Sequence, residues 1–342
     1  MSTLVTGGAG YIGSHVVRLL QERGEKVVVV DDLSSGDASR IGDAKLVQVD
    51  IASDEALPIL SETMIDDDVD AVIHFAAKKQ VGESVQRPAM YYRQNVGGMA
   101  NLMRAMYDAG VRDIVFSSSA AVYGMPDVEV ISEDDPKNPI NPYGQTKLIG
   151  EQMLADGNTA WDLNYIALRY FNAAGAGWED LADTATMNLI PIALSQLASG
   201  QEPVVFGDDY PTPDGSCIRD YIHVMDLAKA HLHALDGLRD GTVKNQALNV
   251  GTGKGSSVFE VLDGIRDVSG YDFESKVGPR RAGDPAALVA NCDEIETKLG
   301  WKAELGLEDI VTSAWDARQA GPNPIEIPQT VEVVEEVEVP EE

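Results

Sequence analysis

Leu4-Val5-Thr6-Gly7-Gly8-Ala9-Gly10-Tyr11-Ile12-Gly13 is the stretch that decides the fold. A short strand-like run leads into three glycines at spacing three, and a helical pattern follows over residues 12–22. Such a turn lets backbone approach a pyrophosphate and sets its charge against a helix N-terminus, so Gly7, Gly10 and Gly13 are candidate dinucleotide-binding residues. Working outward, apolar runs rich in β-branched residues alternate with helical patterns through the first half. Strands are expected over 3–6, 26–31, 45–49, 71–75, 113–117 and 164–169, and helices over 12–22, 57–64, 91–109 and 143–155. Continuous apolar strands joined by helical crossovers imply an α/β fold with a doubly wound parallel sheet of the Rossmann type.

After Asn172 the rhythm changes. Residues 173–219 hold Gly, Pro and Asp loops around one expected helix, 187–199, and a strand over 246–250 is expected to rejoin the main sheet. This predicts a cofactor domain over 1–175 with a return segment near 224–252. A smaller interleaved α/β substrate domain is expected over 176–223 and 253–320, and an acidic disordered tail over 321–342. The tail carries seven Glu and no Lys or Arg, a composition that solvates a chain rather than packing it.

The chain has 342 residues, is 44% hydrophobic and carries a net charge of −30. That size can bury a substantial core. The charge argues against nucleic acid or anionic membrane as partners, and is compatible with high-salt adaptation or with an ordinary soluble surface. No apolar run approaches the roughly 18 residues of a membrane span, and the N-terminus lacks a signal-peptide pattern, so a cytoplasmic location is expected. Cys217 and Cys292 lie far apart, and the five His form no ligand cluster. Neither a disulfide framework nor a metal site is expected.

Asn141-Pro142-Tyr143-Gly144-Gln145-Thr146-Lys147 carries the chemistry. Residues four apart share a helical face. An ammonium near a phenol favours the phenolate and is expected to lower the Tyr143 pKa toward neutrality. A phenolate beside a nicotinamide can take a hydroxyl proton while hydride leaves the same carbon. Ser119 ends an expected strand at the carboxyl edge, where it would hydrogen-bond a substrate hydroxyl. Asp31 ends the second strand, where a carboxylate accepts from ribose hydroxyls and repels a 2′-phosphate, favouring NAD over NADP. Asp32 either shares that role or is a solvated loop residue. Asp50 either touches the adenine or closes a turn. Asn95, inside an otherwise apolar helix, costs stability unless bonded, which suggests that it supports the lysine and cofactor.

Thr6-Gly-Gly-Ala-Gly-Tyr-Ile-Gly13, Val72-Ile-His-Phe-Ala-Ala77, Val81-Gly-Glu-Ser84, Phe116-Ser-Ser-Ser-Ala120, Pro142-Tyr-Gly-Gln-Thr-Lys147, Arg169-Tyr-Phe-Asn172, Arg219-Asp-Tyr-Ile-His-Val224 and Arg280-Arg-Ala-Gly-Asp284 together resemble the UDP-glucose 4-epimerases (UDP-galactose 4-epimerases). These are extended short-chain dehydrogenase/reductases. The resemblance spans roughly residues 3–317. It implies a galactose-metabolism isomerase that reduces tightly bound NAD transiently and passes through a 4-keto sugar, with UDP-glucose and UDP-galactose as substrates. It places Tyr11, Ile12, Ile51, Phe75, Ala76, Lys79, Asn95, Ser117 and Tyr170 near NAD, with Tyr143, Lys147 and Ser119 as the catalytic set. Asn172, Asn188, Phe206, Arg219, Arg281 and Asp284 would hold the nucleotide sugar, the arginines on the diphosphate and Phe206 over uracil. Leu288 would border the C2 substituent, where an aromatic excludes N-acetylated sugars and a small residue admits them. A homodimer is also implied, through the helices at 91–109 and 143–155, with Met99, Leu102, Met103, Met106 and Leu148 as the expected apolar surface. Two rival readings are a 4,6-dehydratase, disfavoured because Ala120-Ala121 stands where a carboxylate pair is needed, and a non-catalytic NAD-sensing regulator.

Overall fold

A computed structural model describes residues 1–281, 284–322 and 324–326. Of the expected acidic tail, residues 323 and 327–342 lie outside the described residues. The first strands are β1 (Ser2–Thr6), β2 (Lys26–Asp31), β3 (Lys45–Gln48), β4 (Ala71–His74), β5 (Asp113–Ser117), β6 (Val130–Ile131) and β7 (Asn164–Tyr170). They are followed by β8 (Asn172–Ala174), β9 (Val204–Phe206), β10 (Ile218–His223), β11 (Gln246–Val250), β12 (Gly255–Ser257), β13 (Lys276–Gly278) and β14 (Ala287–Ala290).

Seven strands form one sheet in the order β11-β7-β5-β4-β1-β2-β3, and all its pairings are parallel. Strand side chains alternate between its faces. Leu4, Val72, Ile114 and Phe116 pack with helices Ala56–Asp66 and Gly98–Ala109. Val5, Ile73 and Val115 pack with helices Tyr11–Glu22 and Val224–Arg239. The strand order reverses between β1 and β4, so a crevice opens at their carboxyl ends, where doubly wound sheets bind ligands.

The chain leaves this sheet at Phe171. Asn172 opens β8, which pairs with β10, itself flanked by β12 and β14. A separate core lies here, in which helices Leu189–Ala198, Val258–Ser269 and Leu307–Ala320 meet Tyr221 and Phe273.

Expected elements of the first half match within a few residues, with three differences. The helix expected to end at 155 runs from Pro142 to Trp161. Gly157, a residue that ordinarily weakens helices, survives there because Met103 and Leu163 crowd the position a Cβ would take. The helix expected over 91–109 begins at Pro88 and contains a π-helical turn, Tyr92–Gly97, a feature frequent at functional sites. A short helix, Val81–Gln86, was not expected at all.

Candidate active site

The crevice is a cleft of about 810 Å³. At its floor, Gly7 has φ +71°, and a Cβ there would lie 2.7 Å from the Ala76 amide nitrogen. A Cβ on Gly13 would lie 2.2 Å from the Gly7 carbonyl oxygen. Backbone therefore packs on backbone with no room for side chains. Gly10 caps helix Tyr11–Glu22 without a side-chain hydrogen bond, which leaves the helix N-terminus available to a diphosphate. Asp31 accepts from the amides of Ala9 (3.0 Å) and Leu33 (2.9 Å). Burial raises its pKa, and those two amides pull it down. Asp50 accepts from Ala52 N (2.9 Å) and from Gln94 Nε2 (3.1 Å), so it does close a turn, and it also faces the cleft. Gly7, Gly10, Tyr11, Ile12, Gly13, Asp31, Asp50, Ile51, Phe75, Ala76, Lys79, Tyr143, Lys147 and Tyr170 all line this space. A glycine-floored channel with a bare helix N-terminus, a carboxylate at the end of the second strand and a phenol at the far end fits NAD.

Asn95 and Ser117 stand behind the cleft wall. The extra residue of the π turn turns Asn95 inward. Its Oδ1 accepts from Lys78 N (2.8 Å), and its Nδ2 donates to Lys78 O (3.0 Å) and Thr146 Oγ1 (2.9 Å). Its amide thus braces the Lys78 backbone against helix Pro142–Trp161. Ser117 Oγ donates to the Tyr170 hydroxyl at 3.2 Å.

Helix Pro142–Trp161 starts sharply because Asn141 Oδ1 accepts from Gly144 N (2.9 Å) and Pro142 occupies the first turn. This delivers Tyr143 and Lys147 to the carboxyl edge of β5, beside Ser119, whose Oγ accepts from Ala121 N at 3.2 Å. All three are buried, at 8, 4 and 9% exposure. The Lys147 ammonium lies 5.9 Å from the Tyr143 ring centre and donates to Ser117 O at 2.7 Å. The expected lowering of the Tyr143 pKa is not met. Burial pushes it well above the ordinary value, Tyr170 and Tyr91 add to the rise, and the neighbouring Ser119 hydroxyl only partly opposes them. Burial also brings Lys147 down to about 8, against the pull of Glu151. The physical reason is desolvation, which acts on both groups and which the sequence argument left out.

The residues expected to hold the sugar nucleotide lie on smaller elements rather than along this cleft, Asn172 on β8, Arg219 on β10 and Phe206 on β9, which pairs with β13 in a separate two-stranded sheet. Arg219 donates to Ile218 O and Pro285 O (both 2.8 Å) and pairs with Asp284 at 3.4 Å. The Arg281 guanidinium lies 4.0 Å over the Phe206 ring. Leu288 stands opposite Arg219 in the strand register and packs on the cluster containing Ala120 and Phe171, next to Ser119. Asn172 is exposed at the start of β8. Asn188 follows Met187, a cleft residue, and donates to Asp183 Oδ2 at 2.9 Å.

Sequence reasoning missed several cleft residues, among them Arg40, Lys78, Glu83, Gln94 and Asp183. Lys78 Nζ donates to Ser34 Oγ (2.9 Å), and Arg40 donates to the carbonyls of Leu181 and Ala182. They come from loops and short helical turns whose placement tertiary packing sets. The Val81-Gly-Glu-Ser84 run was a partial signal for Glu83.

Fold and cleft together define an NAD-dependent enzyme of the short-chain dehydrogenase/reductase class. The model of the NAD dependent epimerase/dehydratase family matches residues 3–251. The chain is 47% identical to the UDP-glucose 4-epimerase of Halalkalibacterium halodurans, covering 94% of this chain and 97% of that one. The crystal structure of UDP-glucose 4-epimerase from Brucella ovis in complex with NAD superposes with a TM-score of 0.86 at 45% identity, over 92% of this chain and 97% of that one. The UDP-Glc/GlcNAc 4-epimerase from Campylobacter jejuni superposes with a TM-score of 0.81 at 38% identity, covering 94% and 99%. The chain belongs to the NAD-dependent epimerase/dehydratase family, and within it to the UDP-glucose 4-epimerases.

Proposed function

We propose that the chain interconverts UDP-glucose and UDP-galactose by inverting C4, with Tyr143 as acid–base group, Ser119 as substrate-hydroxyl partner and Lys147 as orienting cation. The observation that carries this is the junction of Ser119, Tyr143 and Lys147 at the carboxyl edge of the sheet, above a glycine-floored cleft. Bound NAD⁺ would supply the hydride acceptor, its positively charged nicotinamide ring. Tyr143 takes the C4 hydroxyl proton and later returns it, and Ser119 holds that hydroxyl on the phenol. Lys147, fixed through Ser117 O, holds a positive charge near the phenol and offsets part of its desolvation. Water exclusion follows from the burial of all three. Arg219, Arg281, Phe206, Asp284, Asn172 and Asn188 would anchor the UDP group while the 4-keto sugar turns to offer its other face. For a dehydratase, the turn after Ser119 offers only Ala120-Ala121, with no group to remove a C5 proton. One coupled assay across UDP-hexoses, with mass spectrometry for a 4-keto-6-deoxy product, separates the two reactions.

The same reading divides the chain into a cofactor domain (1–175, with 224–252) and a nucleotide-sugar domain (176–223 and 253–320), in line with the separate cores. We assign the protein to the cytoplasm, since its cofactor and substrates are metabolites of the cell interior. No described helix is long and apolar enough to cross a membrane.

We further propose a homodimer, though not through Met99, Leu102 and Met106, while Met103 and Leu148 are only partly buried. Met99, Leu102 and Met106 are buried against the main sheet of their own chain, and Leu148 packs near Ala120. Val81, Val85 and Tyr92, at 47, 61 and 37% exposure on the neighbouring short helices and π turn, offer an apolar surface instead. Sedimentation velocity at micromolar concentration is expected to give twice the chain mass, and Val85→Glu is expected to return the monomer. A monomer throughout would refute the assembly.

Leu288 supports a graded specificity. It is intermediate in volume, so main activity on UDP-glucose and UDP-galactose with weaker turnover of UDP-N-acetylglucosamine is expected. Leu288→Tyr should abolish the weaker activity and spare the main one, because the clash acts only on the larger substituent. Equal effects on both substrates would remove Leu288 from the gate.

A further inference from the structure

β5 ends at Ser117, Ser118 and Ser119 follow it, and each of the three meets a different side chain of helix Pro142–Trp161. Ser117 O accepts from Lys147 Nζ at 2.7 Å, Ser118 Oγ donates to Glu151 Oε1 at 2.5 Å, and the Ser119 hydroxyl lies near the Tyr143 phenol. Tyr143, Lys147 and Glu151 are spaced i, i+4, i+8 and so share one helix face. The middle tie has no part in the chemistry described above. Behind it, Arg169 of β7 grips Glu151 with two bonds, Nε to Oε1 at 2.9 Å and Nη2 to Oε2 at 2.6 Å. Arg169 Nη1 also donates to the Tyr123 hydroxyl (2.9 Å), which donates to Asn249 Oδ1 on β11 (2.7 Å). Asn249 Nδ2 in turn donates to Ile131 O at 2.9 Å.

Ser118, Glu151, Arg169 and Asn249 are 0, 8, 5 and 0% exposed. Burying a charged pair is a poor way to gain stability, since well-packed apolar residues serve as well or better. What such a pair provides here is direction. Both carboxylate oxygens are pinned from the sheet side, and the one remaining tie runs to the residue beside the catalytic serine. Two bonds on one helix face, from Lys147 to Ser117 O and from Ser118 to Glu151, set both the rotation of the helix and its height along β5.

We infer that Glu151 is a positioning residue: held by Arg169, it locks Ser118 and so places Ser119 against Tyr143 and Lys147. This rests on the roles proposed above for those three residues. Glu151 also adds a negative charge one turn from Lys147. The other groups facing the Tyr143–Lys147 pair are His74 of β4, Tyr170 of β7, and Tyr91 of helix Pro88–Tyr91. Burial keeps His74 neutral, and Glu151 is the charge that favours the Lys147 ammonium.

The test is the NAD-loaded Ser118→Ala enzyme, which cuts the tie and leaves the Glu151–Arg169 pair whole. Its kcat is expected to fall at least about tenfold, the scale of a small misplacement of reacting groups. KM for UDP-galactose, NAD content and the position of the pH profile should stay unchanged. Ser118→Thr, which keeps the hydroxyl, should retain more turnover than the isosteric Ser118→Val, a contrast that also serves if the alanine variant fails to fold. Glu151→Gln should lower kcat and move the alkaline limb of the profile to lower pH, because a neutral amide no longer favours the ammonium. A folded Ser118→Ala enzyme with kcat within twofold of the parent, or equal turnover of the Thr and Val variants, overturns the inference. Tyr143→Phe is measured in parallel. If it keeps turnover, the acid–base assignment itself fails; if it alone loses turnover, only the positioning role falls.

Discussion

Tyr143→Phe is expected to lower turnover by roughly 10²–10⁴-fold, the range of a lost acid–base group, while bound NAD and UDP-sugar affinity persist. The ring stays in place and only the hydroxyl is removed, so the packing around a side chain that is 8% exposed is kept. The phenol is costly to ionise in this site, because burial and the neighbouring Tyr170 and Tyr91 hydroxyls hold its pKa well above the ordinary value. Its function therefore depends on positive charge nearby, from Lys147 and from the oxidised nicotinamide. Lys147 remains an ammonium only below about pH 8 in the isolated chain. Coupled-assay turnover, together with the absorbance of reduced nicotinamide formed on adding a uridine nucleotide and sugar, measures the effect. Near-normal turnover would end the assignment.

Acid is expected to destabilise the fold steeply between pH 6.5 and about 4. Three buried histidines carry the argument. Burial lowers His15 to about 4, His74 to about 3 and His231 to about 4. The unfolded chain takes up these protons near pH 6.5, whereas the folded chain stays neutral at these sites until much lower pH. Stability from these groups is thus fully present above 6.5. It is lost as pH falls through the window, at about 1 kcal/mol per pH unit for each histidine. Asp31, Asp220 and Glu133, whose carboxyls burial raises, act in the opposite direction. Three histidines over two pH units still amount to several kcal/mol, a large part of the roughly 5–15 kcal/mol of a typical domain. Urea midpoints at pH 7.5, 6 and 5 should fall in order. His74→Asn, which can still bond the Thr6 hydroxyl that His74 Nδ1 meets at 2.6 Å, should flatten the slope. A midpoint constant from pH 7 to 5 would contradict this account.

Much of the fold was legible before any coordinates because its determinants are local. The glycines at 7, 10 and 13, the β-branched runs of the parallel strands and the Tyr143–Lys147 spacing each encode their geometry within a few residues. Helix boundaries were less legible where a long-range contact overrides a local preference. Gly157 stays helical because Met103 and Leu163 pack on it, and no reading of neighbouring residues shows that.

Local chain chemistry dictates the parallel sheet, the dinucleotide turn and the shared helix face of Tyr143 and Lys147, because backbone sterics and helical or strand periodicity act over short distances. Tertiary structure alone decided the rest. It put Asn95 on the Lys78 backbone through a π turn, brought Arg219 to Asp284 and Arg281 to Phe206 away from the main sheet, and buried Met99, Leu102 and Met106 within their own chain. It also reversed the expected direction of the Tyr143 pKa. These outcomes depend on which groups lose water together, and desolvation is a property of the assembled fold rather than of any stretch of chain.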